Sequence, residues 1–274
     1  FDNTKINFIN TNVATSGTVL NAGLGDDIIA GGVGTYTVDG GEGFDMYLAS
    51  PATLEKVYDI AGEVVNENGV FISLSSSKVT YLNDNTVDEI SNTEYFMGTT
   101  GDDIFIGAER YESLHNIQAF NGSGGSDQIF GAETAFAGTN QEIDILTAVD
   151  YSSMQGGQGA VFILDGSNVM SGVDNDGNLD FSVVQNAAGE HWNEWLPYDE
   201  GTLDEGQTIS AVSSRMPEKD GASVILDTFG DIDIAFNVDH YIGSDEADVF
   251  FGSIENDTFD AASGTGNYMS CGDG

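Results

Sequence analysis

The chain has 274 residues, with six Lys and Arg against 46 Asp and Glu and a formal net charge of −40 at pH 7. So acidic a balance argues against nucleic acid and against insertion into or binding to an anionic membrane, since both partners are held through basic patches. With 40% hydrophobic residues, 36 glycines, 3 prolines and one cysteine, the chain can build a core, is neither collagen-like nor proline-rich, and has no intrachain disulfide.

Residues 1–21 read as an N-terminal edge strand or cap. The opening Phe1-Asp2-Asn3-Thr4-Lys5 lacks the basic-then-apolar build of a signal peptide. No apolar run approaches the roughly 18 residues that a membrane-spanning helix needs. The last residues, Cys271-Gly272-Asp273-Gly274, fall within a repeat, so the chain reads as a piece of something longer.

From Ala22 the sequence divides into three consecutive blocks of nine, AGLGDDIIA, GGVGTYTVD and GGEGFDMYL. Glycine holds the second and fourth places of each block, and Ile29, Val38 and Tyr47 hold the eighth. Glycines so spaced allow a tight turn in which carbonyl oxygens converge without Cβ clashes. The last three places then form a short strand whose middle side chain points inward. Turn and strand make half of a solenoid coil, so the first and third blocks stack on one side and the second lies on the other. The sixth place carries Asp27 and Asp45 on the shared side and Tyr36 on the opposite one. Two stacked turns offer carboxylate and carbonyl oxygens to Ca2+, a hard cation that takes six to eight oxygens at about 2.3–2.6 Å. The candidate ligand set here is Gly23, Gly25, Asp27, Gly41, Gly43 and Asp45, with no ion expected at Tyr36.

Residues 49–95 contain strand-like runs such as Gly69-Val70-Phe71-Ile72-Ser73-Leu74 and Lys78-Val79-Thr80-Tyr81-Leu82. Repeat-like blocks return at Gly98–Ile106, with Thr99, Gly101 and Asp103 as candidate ligands, and at Gly122–Phe130, with Ser123, Gly125 and Asp127. Further strands are expected at Ala160–Leu164 and Ser223–Leu226. Residues 166–222 break the pattern and read as a surface insertion. Within it Asp174, Asp176, Asn178 and Asp180 place oxygens as at the start of a calcium loop, but the glycine and distal glutamate of an EF-hand are missing, so an ion site and an Asx-rich turn are both open. Trp192 and Trp195 either stack on a glycan or anchor the insertion. Two last blocks, GSDEADVFF and GSIENDTFD, bring Asp248 and Asp257, with Glu246 and Glu255 where the fourth glycine would stand. The segments echo one another: DEISNTEYFMGTTGDDIF from Asp88 and DIAFNVDHYIGSDEADVF from Asp233 share an acidic start, an aromatic residue and then a repeat. On this reading Asp45, Asp103, Asp127 and Asp248 should gather along a single edge.

The block Gly40–Leu48 and its neighbours resemble the nonapeptide G-G-x-G-x-D-x-U-x of the RTX (repeats-in-toxin) family. The resemblance implies an all-β, right-handed parallel β-roll or β-solenoid at 22–165 and 223–274, loaded with calcium. It further implies a secreted or cell-surface location and folding on calcium binding outside the cell. The function expected is that of a structural module, such as part of an adhesin, surface layer or filament. A noncatalytic tail of a secreted protease, lipase, lyase or epimerase, or a glycan-binding adhesin module, are the alternatives. Neighbouring domains or identical subunits, meeting the solenoid ends, and cell-surface glycans are the partners expected.

An enzyme is not expected. His115, His191 and His240 are scattered without the spacing of a zinc protease, and no G-x-S-x-G elbow or lysine-bearing phosphate loop occurs.

Overall fold

The computed structural model describes residues 6–10, 16–32, 34–49, 57–58, 64–66, 69–82, 85–108, 116–132, 145–154, 159–167, 222–254 and 256–272. Among them every regular element is a β-strand, as expected of an all-β chain, and the strands form parallel and mixed sheets. Two compact units emerge, residues 1–149 and 150–274.

The first unit contains, in chain order, β1 (Phe8–Asn10), β2 (Val19–Leu24), β3 (Ile28–Ala30), β4 (Thr37–Glu42), β5 (Met46–Leu48), β6 (Val57–Tyr58), β7 (Val64–Asn66), β8 (Val70–Ser73), β9 (Lys78–Tyr81), β10 (Val87–Ser91), β11 (Tyr95–Met97), β12 (Ile104–Ile106), β13 (Ile117–Asn121), β14 (Gln128–Phe130) and β15 (Leu146–Asp150). One sheet runs β1-β3-β5-β11-β13-β15 and is parallel throughout. The other runs β2-β4-β10-β9-β8-β12-β14. It is parallel except within β8-β9-β10, an antiparallel meander. β6 and β7 pair as a separate hairpin.

The nine-residue period is what makes the chain change sheets. Each glycine-bearing turn sends it across, and β3, β5, β11, β12 and β14 turn their middle side chains inward. The register confirms the stacking expected of the first and third blocks, with Ile28, Ile29 and Ala30 opposite Met46, Tyr47 and Leu48. Ile29, Tyr47, Phe96, Phe120 and Val149 follow one another across the parallel sheet, all fully buried. The second sheet faces them: the Phe105 ring lies 5.3 Å from that of Phe120.

The second unit comprises β16 (Val161–Ile163), β17 (Ser223–Leu226), β18 (Ile232–Phe236), β19 (His240–Ile242), β20 (Val249–Phe251), β21 (Thr258–Asp260) and β22 (Tyr268–Ser270). Its order β18-β17-β16-β20-β22 begins with a second antiparallel meander, and β19 pairs with β21 in parallel. The two meanders share one plan. In each, the first strand pairs forward with a later strand of its own unit, β8 with β12 and β16 with β20. The turn after that first strand also matches, Ser77 N–H donating to Leu74 O (3.2 Å) and Ser167 N–H to Leu164 O (2.9 Å). The insertion expected at 166–222 departs from this second hairpin. Its interior, including Asp174, Asp176, Asn178, Asp180, Trp192 and Trp195, lies outside the described residues.

Phe162 is the hub of the second unit. It stacks on Phe250 at 4.6 Å and meets Tyr151 and Tyr241 edge-on at 5.6 and 6.0 Å. Phe162→Ala is therefore expected to lower the unfolding free energy by about 3–5 kcal/mol, measurable by urea denaturation. The alternate residues Val161, Ile163, Val224, Leu226, Ile232 and Ile234 are buried too. Burial on both faces explains the unbroken apolar runs in β16 and β17. In the first unit the corresponding face carries the exposed Lys78 and Glu89.

Candidate metal centre

Asp27 and Asp45 each precede a strand of the parallel sheet, β3 and β5, and stack in register. Each carboxylate reaches back one step along the sheet. Asn7 N–H donates to Asp27 Oδ1 (2.6 Å), Asp27 N–H to Asp45 Oδ1 (2.7 Å), and Asp45 N–H to Glu94 Oε2 (2.8 Å). The result is a ladder of acids along one edge. Asp27 is 1% exposed and Asp45 0%, and the Oδ2 atom of each is buried with no hydrogen-bond partner. A buried carboxylate oxygen left bare is costly unless something positive meets it.

Burial pushes the Asp45 carboxyl up to about 6, and the charges of Glu94, Asp27 and Asp26 push the same way, against the lowering effect of the Asp27 N–H. A cation reverses this balance, because it favours the ionised form.

The turn glycines sit against the carbonyls of the neighbouring turn. Gly41 and Gly43 have φ of 106° and 147°, and a Cβ on either would collide with the carbonyl of Gly23 or Gly25 in the turn stacked beneath. Glycine is needed there for both conformation and approach. An open cleft of about 450 Å³ borders these glycines, lined by Asn21, Gly23, Leu24, Asp39, Gly41, Glu42 and Asn92. Across it Asn21 Nδ2 and Asn92 Nδ2 donate to the two oxygens of Asp39, at 2.6 and 2.8 Å. Among the described residues no three His, Cys, Asp or Glu side chains converge on one point. An ion between these turns would therefore need backbone carbonyls beside Asp27 and Asp45, which is ordinary for Ca2+. The donor set is all oxygen and fits it.

Asp103 and Asp127 are elsewhere. They precede β12 and β14, on the edge where the chain passes from the parallel sheet into the mixed one, opposite to the edge of Asp45. The single edge expected from sequence does not hold in the first unit, because turns of both directions carry aspartate. Tyr36 shares the Asp103 edge and is buried, its N–H donating to Asp88 Oδ1 (2.9 Å). The same backward reach recurs, with Val70 N–H on Asp103 Oδ1 (2.6 Å) and Asp103 N–H on Asp127 Oδ1 (2.8 Å). In the second unit Ala160 N–H donates to Asp248 Oδ1 (2.8 Å), and Asp248 N–H donates to Asn267 Oδ1 (2.7 Å).

The candidate turns fall into two conformations. Gly23, Gly25, Gly41, Gly43, Ser123 and Gly125 all have positive φ, whereas Thr99, Gly101, Ser244 and Glu246 do not. In the second type the second-place hydroxyl binds the sixth-place aspartate. Thr99 Oγ1 donates to Asp103 Oδ1 (3.0 Å), Ser244 Oγ to Asp248 Oδ1 (2.7 Å) and Ser253 Oγ to Asp257 Oδ1 (3.0 Å). The backbone N–H of Thr99, Ser244 and Ser253 takes the other oxygen, at 2.6, 3.0 and 2.7 Å. Thr99 Oγ1 and Ser244 Oγ also accept the fourth-place N–H of Gly101 and Glu246, both at 3.1 Å. This explains why Glu246 can stand where a glycine was expected: its turn needs no left-handed residue.

Sequence reasoning did not single out Glu94, Asn7, Asp88 or Asp233 as parts of these networks. Asp88 and Asp233 hold matching places, opposite Val79 in β9 and Ile225 in β17. Each is fully buried and accepts a tyrosine hydroxyl, from Tyr47 and Tyr151 respectively. The signal lay in the sequence echo, which begins on these two residues. No protein-family model matches the chain, and no curated protein is significantly similar to it.

Proposed function

We propose that this chain is a calcium-binding structural module of a secreted or cell-surface protein, a right-handed parallel β-roll that folds on taking up Ca2+. The observation that carries the reading is the pair of bare, buried carboxylate oxygens on Asp27 and Asp45, in the two stacked turns whose glycines lie against one another's carbonyls. Ions that bind the folded chain and not the unfolded, self-repelling one drive folding by mass action. The net charge of −40 supports a need for cations. Even about five ions, the order such sites suggest, neutralise only a quarter of it, so most of the acid is solvated surface.

The test is a calcium titration of the chelator-treated chain, read by far-ultraviolet circular dichroism and calorimetry. Cooperative gain of β-structure with heat of binding is the expected result. A β-rich spectrum in chelator that calcium leaves unchanged, with no heat, overturns the reading.

A further inference from the structure

Both carboxylate oxygens of Asp103, Asp248 and Asp257 are engaged by the N–H and hydroxyl of the second-place residue of their own turn. At Asp27 and Asp45 every donor falls on Oδ1, and Oδ2 stays bare. The difference goes with the backbone at the second place, which has positive φ at Gly23 and Gly41 and also at Ser123 despite its hydroxyl. Gly23 and Gly41 have no hydroxyl and take positive φ, whereas Thr99 and Ser244 have one and do not.

We propose that the Thr- and Ser-bearing turns at Asp103, Asp248 and Asp257 are locked without a metal, their hydroxyl standing where the ion stands at Asp27–Asp45, so that calcium controls only part of the chain. This rests on the calcium reading and extends it to regulation. Two kinds of turn then respond differently to one signal. Loss of calcium exposes the Asp27–Asp45 pair to its own repulsion and loosens residues 23–48. The turns at 98–106 and 243–250 keep their closure, because a hydrogen bond from a side chain four positions away needs no second component. The turns at Asp103, Asp248 and Asp257 give up ion response for independence of it.

The experiment is hydrogen exchange of the full chain, followed by mass spectrometry, in calcium and in chelator. Protection at 23–48 should fall in chelator while 98–106 and 243–250 keep theirs. Equal loss in all three regions overturns this inference and leaves the calcium reading standing. No change anywhere overturns the calcium reading itself, and this one with it. A second arm uses Thr99→Val, which removes the hydroxyl at nearly constant volume. Exchange at 98–106 should quicken roughly tenfold, the effect of one buried hydrogen bond, and Thr99→Ser should restore it. Unchanged exchange in Thr99→Val overturns the locking role.

Discussion

Asp45→Asn is expected to abolish most of the calcium response without destabilising the chain in chelator. The carboxamide keeps an oxygen for the Asp27 N–H, which now lies 2.7 Å from Oδ1. It also removes a charge that burial and the neighbouring acids disfavour, so the variant in chelator should be as stable as the parent or more so. In calcium the order reverses. Losing a ligand weakens binding by at least the ~10–100-fold that loss of a mere supporting partner causes. An ion at about 100 times its dissociation constant stabilises a fold by about 2.7 kcal/mol, and a hundredfold weaker site loses most of that. Thermal unfolding of both proteins with and without calcium measures the difference. A variant that keeps the full calcium increment shows that Asp45 is not a ligand.

Lowering the pH from 7.5 to 4.5 in chelator should shift the chain toward its folded form, contrary to the usual acid lability of proteins. Burial raises Asp88 from 3.8 to about 6, despite the hydrogen bonds from Tyr47 and the Tyr36 N–H that lower it. A folded-state value above the unfolded one means that the fold binds the proton more tightly. Its contribution is complete below about 4 and is lost as the pH rises through about 6. For so buried a group the swing is on the order of 2 kcal/mol. Asp45 and Asp248 are also pushed to about 6 and add slope of the same sign. Asp227, raised by burial and then by the charge of Asp233, acts in that direction at higher pH. Asp88→Asn isolates one contribution, since the amide is neutral throughout. Urea unfolding at the two pH values should show a smaller difference for the variant, and equal slopes would count against a buried, ionising Asp88.

The parts of this architecture written in local pattern were legible in the sequence. Period nine fixed which turns stack, and Ile29, Val38 and Tyr47 are buried as their eighth place requires. Strands at 69–74, 78–82, 160–164 and 223–226 were visible as β-branched runs. What stayed hidden depends on partners far along the chain. Glu94 carries no glycine signature, and it joins the Asp27–Asp45 ladder only because β11 lands beside β5, 49 residues after Asp45. The division of aspartates between two edges depends on the direction of each crossing, which a count of nine does not reveal. Glu246 looked like a defect in a repeat because the role of Ser244 shows only in the turn's hydrogen bonds.

The meander of the first unit also constrains how the chain can assemble. Its last strand turns back to pair Glu89 with Thr37, while its first strand must wait for Ile104 to cover Phe71. Growth from the N-terminal end therefore cannot proceed one strand at a time. Until β12 arrives, β8 presents an open row of amides and carbonyls, a template for any other extended chain. Completion comes in a quantum of the whole meander plus the crossing that follows it, and a chain arrested inside that quantum is the species most prone to pair with its neighbours.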